Sequence, residues 1–295
     1  MESELAGAYD LEVQPFTPRG VTLRLGPRVY DLTHRALVMG ILNRTRDSFF
    51  SPAATFDLDA FLTRAETLVA EGADLLDVGG VKAGPGEFVS LEEEIDRVVP
   101  AVSALRRRFD VPISVDTWRA EVARAAFAEG AILGNDISGF ADPDYLAVAA
   151  AAGASVVATH IRLAPRVADP APVYDDVVEV VREFLLERRE DALRAGLHPD
   201  QIVLDAGLDL GKTAAQSLTL LRASARLAAE GPLLLSASNK TFLGVMFSLG
   251  VLERREVSLA AASLGVIGGC RILRVHDVRG TVRVRDLLAR LSEGA

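Results

Sequence analysis

Eight places in this chain put a polar side chain where a short apolar run stops. They are Asn43, Asp77, Asp116, Asn135 with Asp136, His160, Asp205, Ser238 with Lys240, and His276 with Asp277. Acids, amides and a lysine gathered in this way suit a polar small molecule and any charge that develops on it. Arg274 and His276 stand two residues apart, so on an extended strand their side chains share a face. A guanidinium fork fits phosphate oxygens, and an imidazole adds a donor. An internal ion pair between Arg274 and a rim acid is the alternative. Any single strand-ending Asp or Asn is as readily explained as a helix cap. Nearly every run ending so is not.

The elements that must position these groups follow from the apolar runs. These are Ala36 to Leu42, Ala73 to Val78, Pro112 to Val115, Ala131 to Leu133, Ser155 to Ala158, Ile202 to Leu204, Leu233 to Leu235 and Ile272 to Val275. Most are short, branched and without polar alternation, as strands buried on both faces are. Segments with helical spacing lie between them. Residues 57–71 put Leu58, Phe61, Leu62, Ala65 and Leu68 on one face, and Ser90 with Glu93 is a capping-box pattern for a helix ending near Phe109. Gly153 and Gly196 stand where helices stop. Eight strand–helix cycles, the helix after the seventh split, predict an α/β fold: a closed (β/α)₈ TIM barrel, with the polar strand ends on one rim.

Two short alternating stretches around Gly26-Pro27 predict an N-terminal hairpin covering the far end of that barrel. Residues 1–20 lack a period and read as a flexible extension, leaving residues 21–295 as a single domain. The second cycle carries the least expected loop. Its strand stops at Asp77, meets the pair Gly79-Gly80, and continues through Val81-Lys82-Ala83-Gly84-Pro85-Gly86 with Lys82 as the only charge before Glu87. Glycines there let the backbone turn sharply and approach a ligand closely.

Composition narrows the classes. Of 295 residues 49% are hydrophobic, enough for a large core, and a net charge of −9 speaks against nonspecific nucleic-acid binding. The single cysteine, Cys270, excludes an intrachain disulfide framework and suits a reducing cytoplasm. The acidic N-terminal stretch has no signal-peptide pattern, and no apolar run approaches the roughly 18 residues of a membrane span. A cytoplasmic protein with no membrane or nucleic-acid partner is the expectation.

Across about residues 36–290 the chain resembles the dihydropteroate synthases. The stretches that carry the resemblance are Met39-Gly40-Ile41-Leu42-Asn43, Asp77-Val78-Gly79-Gly80, Ser114-Val115-Asp116-Thr117, Asn135-Asp136-Ile137-Ser138-Gly139, Gly211-Lys212-Thr213 and Arg274-Val275-His276-Asp277-Val278. The resemblance implies a homodimer that binds a pterin pyrophosphate with magnesium, p-aminobenzoate displacing pyrophosphate from the pterin methylene carbon. It implies pterin contacts from Asp116, Asn135, Asp205 and Lys240, a set suited to a ring edge rich in N–H donors. It implies pyrophosphate contacts from Asn43, Arg274 and His276, with Asn43 also on the metal. Asp116, Lys240, Arg274 and His276 are then the catalytic candidates. His160 matches a fifth-strand position, though a core histidine explains it equally well. Thr241, at a helix start beside Asn239, is the candidate for the amine's carboxylate, or an ordinary cap.

The departures cluster on the amine side. The family's Glu-Ser-Thr-Arg-Pro-Gly loop is replaced by residues 81–86, and Ser-Arg-Lys-Ser becomes Ser238-Asn239-Lys240-Thr241. Asp-Pro-Gly-Ile-Gly-Phe-Gly-Lys becomes Asp205-Ala206-Gly207-Leu208-Asp209-Leu210-Gly211-Lys212, and the first loop loses a carboxylate and two glycines. Arg44, Arg46 and Lys82 offer new cations that either compensate at the pyrophosphate or stay plain surface charge. Losing one well-placed contact to a transition state costs about 3 kcal/mol, roughly a hundredfold in rate. The pattern resembles the divergent second homologue of some actinobacteria, and the expectation is pterin binding with weak or lost synthase activity. An active transferase using p-aminobenzoate or another amine is the alternative. A methyl-transferring pterin barrel with a corrinoid partner is a third reading, against which Arg274 and His276 speak, since that chemistry has no pyrophosphate to bind.

Overall fold

Period-two alternation along the buried strands gives this protein two cores and a polar layer. The computed structural model describes residues 20–44 and 58–293. Its barrel strands are β3 (Leu37–Asn43), β4 (Leu75–Gly79), β5 (Ile113–Asp116), β6 (Leu133–Asp136), β7 (Ser155–Thr159), β8 (Ile202–Asp205), β9 (Leu233–Leu235) and β10 (Cys270–Val275). They pair in parallel in chain order, and β10 closes the circle against β3 with Ile272 opposite Leu37 and Arg274 opposite Met39. The expected TIM barrel is present.

Helices cover the outside: α1 (Leu58–Ala70), α2 (Leu91–Arg108), α3 (Ala120–Ala128), α4 (Tyr145–Ala152), α5 (Val177–Arg194), α6 (Ala214–Arg222), α7 (Ser224–Ala228), α8 (Thr241–Phe247), α9 (Arg255–Ile267) and α10 (Val278–Glu293). The helix after the seventh barrel strand is split into α8 and α9, as the sequence indicates. The one before that strand is split too, at Ala223, where the Ser224 hydroxyl donates to the Leu221 carbonyl, 2.7 Å away. Ser90 caps α2 by accepting from the Glu93 amide at 3.1 Å, but Glu93 turns its carboxylate to Arg97 instead of closing the capping box.

Outward-facing strand residues such as Val38, Leu76, Val115 and Val156 join the helices in the larger core. The inward-facing residues Leu37, Met39, Leu75, Leu133, Val157, Val203, Leu234 and Ile272 form a second, closed by Leu23, Leu25 and Leu32 from the N-terminal segment. The hairpin of β1 (Thr22–Leu25) and β2 (Arg28–Asp31) thus plugs the barrel's bottom. Arg24 ties it down through Asp200, at 2.9 Å.

This floor sets what lies above it. Two residues on from Leu75, Leu133, Val203 and Ile272 come Asp77, Asn135, Asp205 and Arg274, which a two-residue repeat must aim into the same interior. Among the described residues no helix is long and apolar enough to cross a membrane.

Candidate functional site

Asp77 holds the centre of the barrel's mouth. It is fully buried, and it accepts from Ser114 Oγ at 2.6 Å, Asn135 Nδ2 at 3.2 Å and Arg274 Nε at 2.6 Å. The other face of Arg274 donates from Nη2 to Asp116 Oδ2 at 2.7 Å. One guanidinium therefore bridges two acids from adjacent strands, and three sequence-expected residues, Asp116, Asn135 and Arg274, meet around a fourth. Asp77 was visible as a strand end but had no role. Its signal is Ser114, a small polar residue on a buried strand, placed opposite Asp77 in the β4–β5 register.

Burial pushes the Asp116 carboxyl upward, Arg274 pulls it down, and the neighbouring charge of Asp77 adds to the rise. Arg274 is held firmly protonated: its desolvation is outweighed by Asp77 and Asp116. Asp116 does not cap α3. That helix begins at Ala120, whose amide donates instead to Asp142 Oδ2 at 2.8 Å. Asp136, by contrast, does cap its own loop, accepting from the Ser138 and Phe140 amides at 2.6 and 2.9 Å.

Across the mouth, Asp205 accepts from the Gly207 amide at 2.8 Å. Its carboxyl is raised by burial, against the pull of that bond and of Lys240 and Lys212. Lys240 donates Nζ to the Leu208 carbonyl at 2.7 Å, and its ammonium is shifted downward by desolvation, opposed by Asp205 and Asp209. Asp205 and Lys240 thus add a second acid and a second cation beside the Asp77–Arg274–Asp116 bridge, each held by backbone of the β8–α6 loop.

The glycine pair acts through closeness, not through a left-handed turn. A Cβ on Gly79 would lie 3.3 Å from Asp116 Oδ2 and 3.6 Å from Asn43 Oδ1, so these two flank the same backbone. A Cβ on Gly80 would come within 2.8 Å of Val98 on α2. Arg97 then fixes the Gly80 carbonyl with a 2.8 Å hydrogen bond.

The remaining expectations divide. His276 lies just past β10 with Nδ1 3.0 Å from Ser238 Oγ, outside the Asp77 bridge. Its ring reaches solvent, yet partial desolvation and then Arg274 push its pKa down. His160 is a core residue. Its ring packs edge-on to Phe184 with centroids 4.9 Å apart, and Nδ1 lies 2.9 Å from Lys212 Nζ. Lys212 also reaches the carbonyls of Gly207 and Leu210 at 2.8 and 3.0 Å, so it ties the β8–α6 loop to the end of β7.

Asn239 serves the backbone. Its carbonyl accepts from Arg254 and its amide donates to Ser258 Oγ, each at 3.0 Å. Thr241 opens α8, but the amides there are already taken: Asp209 accepts from Thr241 N and, at 3.1 Å, from Phe242 N. Of the loop cations, Arg44 is buried with its guanidinium over the Phe61 ring, 5.5 Å from the centroid, so it is not surface charge. Lys82 is exposed. Arg46 lies outside the described residues.

For magnesium the described residues offer little. No group of three or more His, Cys, Asp or Glu is arranged to hold a metal, and the nearest carboxylates, Asp77 and Asp116, are engaged by Arg274. Asn43 supplies one amide oxygen, so most ligands of such an ion would have to come from the phosphates of a substrate.

The profile of the family described as pterin binding enzyme matches residues 39–276. The chain belongs to the dihydropteroate synthase family. It is 44% identical over 263 residues to the inactive dihydropteroate synthase 2 of Mycobacterium leprae, covering 86% of this chain and 90% of that one. It is 40% identical over 266 residues to the dihydropteroate synthase of Synechocystis, covering 89% and 92%. Among solved structures, the Yersinia pestis dihydropteroate synthase in a sulfonamide drug complex superposes with a TM-score of 0.87 at 36% identity, covering 93% of this chain and all of that one. The Xanthomonas albilineans synthase with 4-aminobenzoic acid gives 0.85 at 36% identity, covering 92% and 98%. Dihydropteroate synthase relatives of this chain thus include both active and inactive types.

Proposed function

We propose that this dihydropteroate synthase homologue binds a pterin pyrophosphate in the barrel's mouth and joins p-aminobenzoate to it weakly or not at all. The observation that carries the first half is the convergence of Asp116, Asn135 and Asp205 on one interior, with Lys240 at its edge. A flat ring edge carrying N–H donors needs such buried acceptors, and the amide of Asn135 serves a neighbouring carbonyl or ring nitrogen. Asp116 would stabilise positive charge building on the methylene carbon as pyrophosphate leaves. Asn43, His276 and Lys82 would meet the leaving anion at the rim, together with Arg274. A magnesium ion would neutralise charge on the phosphates, held on the protein side by Asn43.

The second half rests on what the loops do instead. Arg274 is already engaged by two acids, so an anion must compete with Asp77 and Asp116 for it. The altered second loop is fastened from outside: the Arg166 amide donates to the Ala83 carbonyl at 2.9 Å, and the Arg166 guanidinium to the Glu87 carbonyl. A loop so tied is poorly placed to close over p-aminobenzoate.

Calorimetry with pterin pyrophosphate, followed by a turnover assay with p-aminobenzoate, tests both halves. Binding with little or no product is expected. Rapid product formation supports the active transferase, and no binding sinks the proposal. Exposed apolar side chains on α8, α9 and the turn between them, including Phe247, Leu252 and Leu264, support pairing with a second copy as a homodimer, which sedimentation would read directly.

A further inference from the structure

Asp209 stands where the family stretch has its second glycine, and it adopts a backbone that glycine would accept more easily, with φ of 67°. It is held there from both sides. Its amide donates to Ser217 Oγ at 3.1 Å, and its carboxylate accepts from the amides of Thr241 and Phe242. Those are the amides that a carboxylate arriving from outside would use.

The same residue lines a cavity of about 310 Å³ between the second loop and the segment after β7. Its walls include Pro85, Ile161, Leu163, Val167 and Leu210, all apolar. The other acid lining it, Asp169, is committed to Arg162 at 3.1 Å from Nη2, and Arg166 points its guanidinium to the Glu87 carbonyl. The volume is at the low end of ligand pockets, enough for one small ring.

We propose that this cavity takes a small apolar amine without a carboxylate, and that Asp209 determines that choice. A second carboxylate beside Asp209 would meet a like charge, and would find the Thr241 and Phe242 amides already taken by it. A neutral aryl amine meets neither penalty. This rests on the pterin reading above, because the amine must lie beside a bound pterin to react.

The test begins by titrating the full chain with pterin pyrophosphate. The loaded protein is then offered aniline and p-aminobenzoate separately, with uptake and product measured for wild type, Asp209→Gly and Asp209→Asn. Wild type should favour aniline by about tenfold or more, the 1.4 kcal/mol of one modest charge contact. Asp209→Gly relieves the left-handed backbone and so should fold, and it should reverse the preference. Asp209→Asn keeps an acceptor for the two amides without the charge, and should fall between. Equal use of the two amines by wild type, use of neither, or an unchanged ratio in Asp209→Gly overturns the inference while leaving pterin binding intact. Failure of the first titration overturns the functional reading itself, and this inference with it.

Discussion

Arg274 Nε lies 2.6 Å from Asp77 Oδ2 inside a closed barrel, on strands 197 residues apart in the chain. With Asp116 on its other face, this arginine joins the last barrel strand to the second and third. A buried guanidinium is tolerable only while its acids remain. Asp77→Asn should therefore lower unfolding stability by about 3 kcal/mol, the low end for breaking a buried pair, because Asp116 still serves one side. Adding Arg274→Met should restore much of that loss. Urea titrations of the two single variants and the double variant measure the coupling. Additive losses would mean the bridge contributes nothing beyond its parts.

The two lysines of the mouth should separate cleanly. Lys240 has one backbone acceptor and an open edge, whereas Lys212 has the His160 ring and three carbonyls. Lys240→Met is expected to weaken pterin affinity tenfold or more, about 1.4 kcal/mol, with little change in unfolding. Lys212→Met leaves buried carbonyls without a donor and should cost about 3 kcal/mol of stability. Calorimetry and urea midpoints on the same two variants check it, and the opposite pattern would exchange their roles.

The barrel was legible because its strands are apolar on both faces and its polar residues come where those strands stop. Period two then brings Asp77, Asn135, Asp205 and Arg274 together once the floor of Leu75, Leu133, Val203 and Ile272 is known. What was not legible is partner choice. Nothing local says that Asp77 takes Arg274 while Asp136 turns back on its own loop, since both are acids ending buried strands. Lys212 and Lys240 likewise look alike until the β8–α6 loop is folded. Asp209 was visible as a departure from glycine, but its grip on α8 joins two loops 32 residues apart.

Acid should weaken this protein partly through His160. Unfolded, its imidazole takes a proton near 6.5; folded, burial and then Lys212 hold it down to about 3. Between those values the unfolded chain binds more protons, so the contribution present above pH 6.5 is lost as pH falls. The loss approaches about 1.4 kcal/mol for each full unit below 6.5. His160→Asn keeps an acceptor for Lys212 but does not titrate. Its stability difference between pH 7 and pH 5 should be smaller than that of wild type, with urea midpoints at both values giving the comparison. Equal differences would assign the acid sensitivity to other groups.

Gly207 gives the sharpest steric test. Its φ is 62°, and a Cβ placed on it would lie only 1.9 Å from the backbone carbonyl oxygen of His160. Backbone cannot step aside as a flexible side chain does, so the β8–α6 loop itself must move. That loop positions three things at once: the Gly207 amide holds Asp205, the Gly207 carbonyl holds Lys212, and the Leu208 carbonyl holds Lys240. Gly207→Ala should thus lose both stability and ligand binding, by more than the roughly 1 kcal/mol that a left-handed alanine costs where space is open. Gly196, also left-handed with φ of 97° but with nothing within 4 Å of its added Cβ, is the control. Gly196→Ala should show only the conformational cost and bind pterin normally. Similar losses in the two variants, read by thermal unfolding and calorimetry, would show that the His160 carbonyl is not what confines this turn.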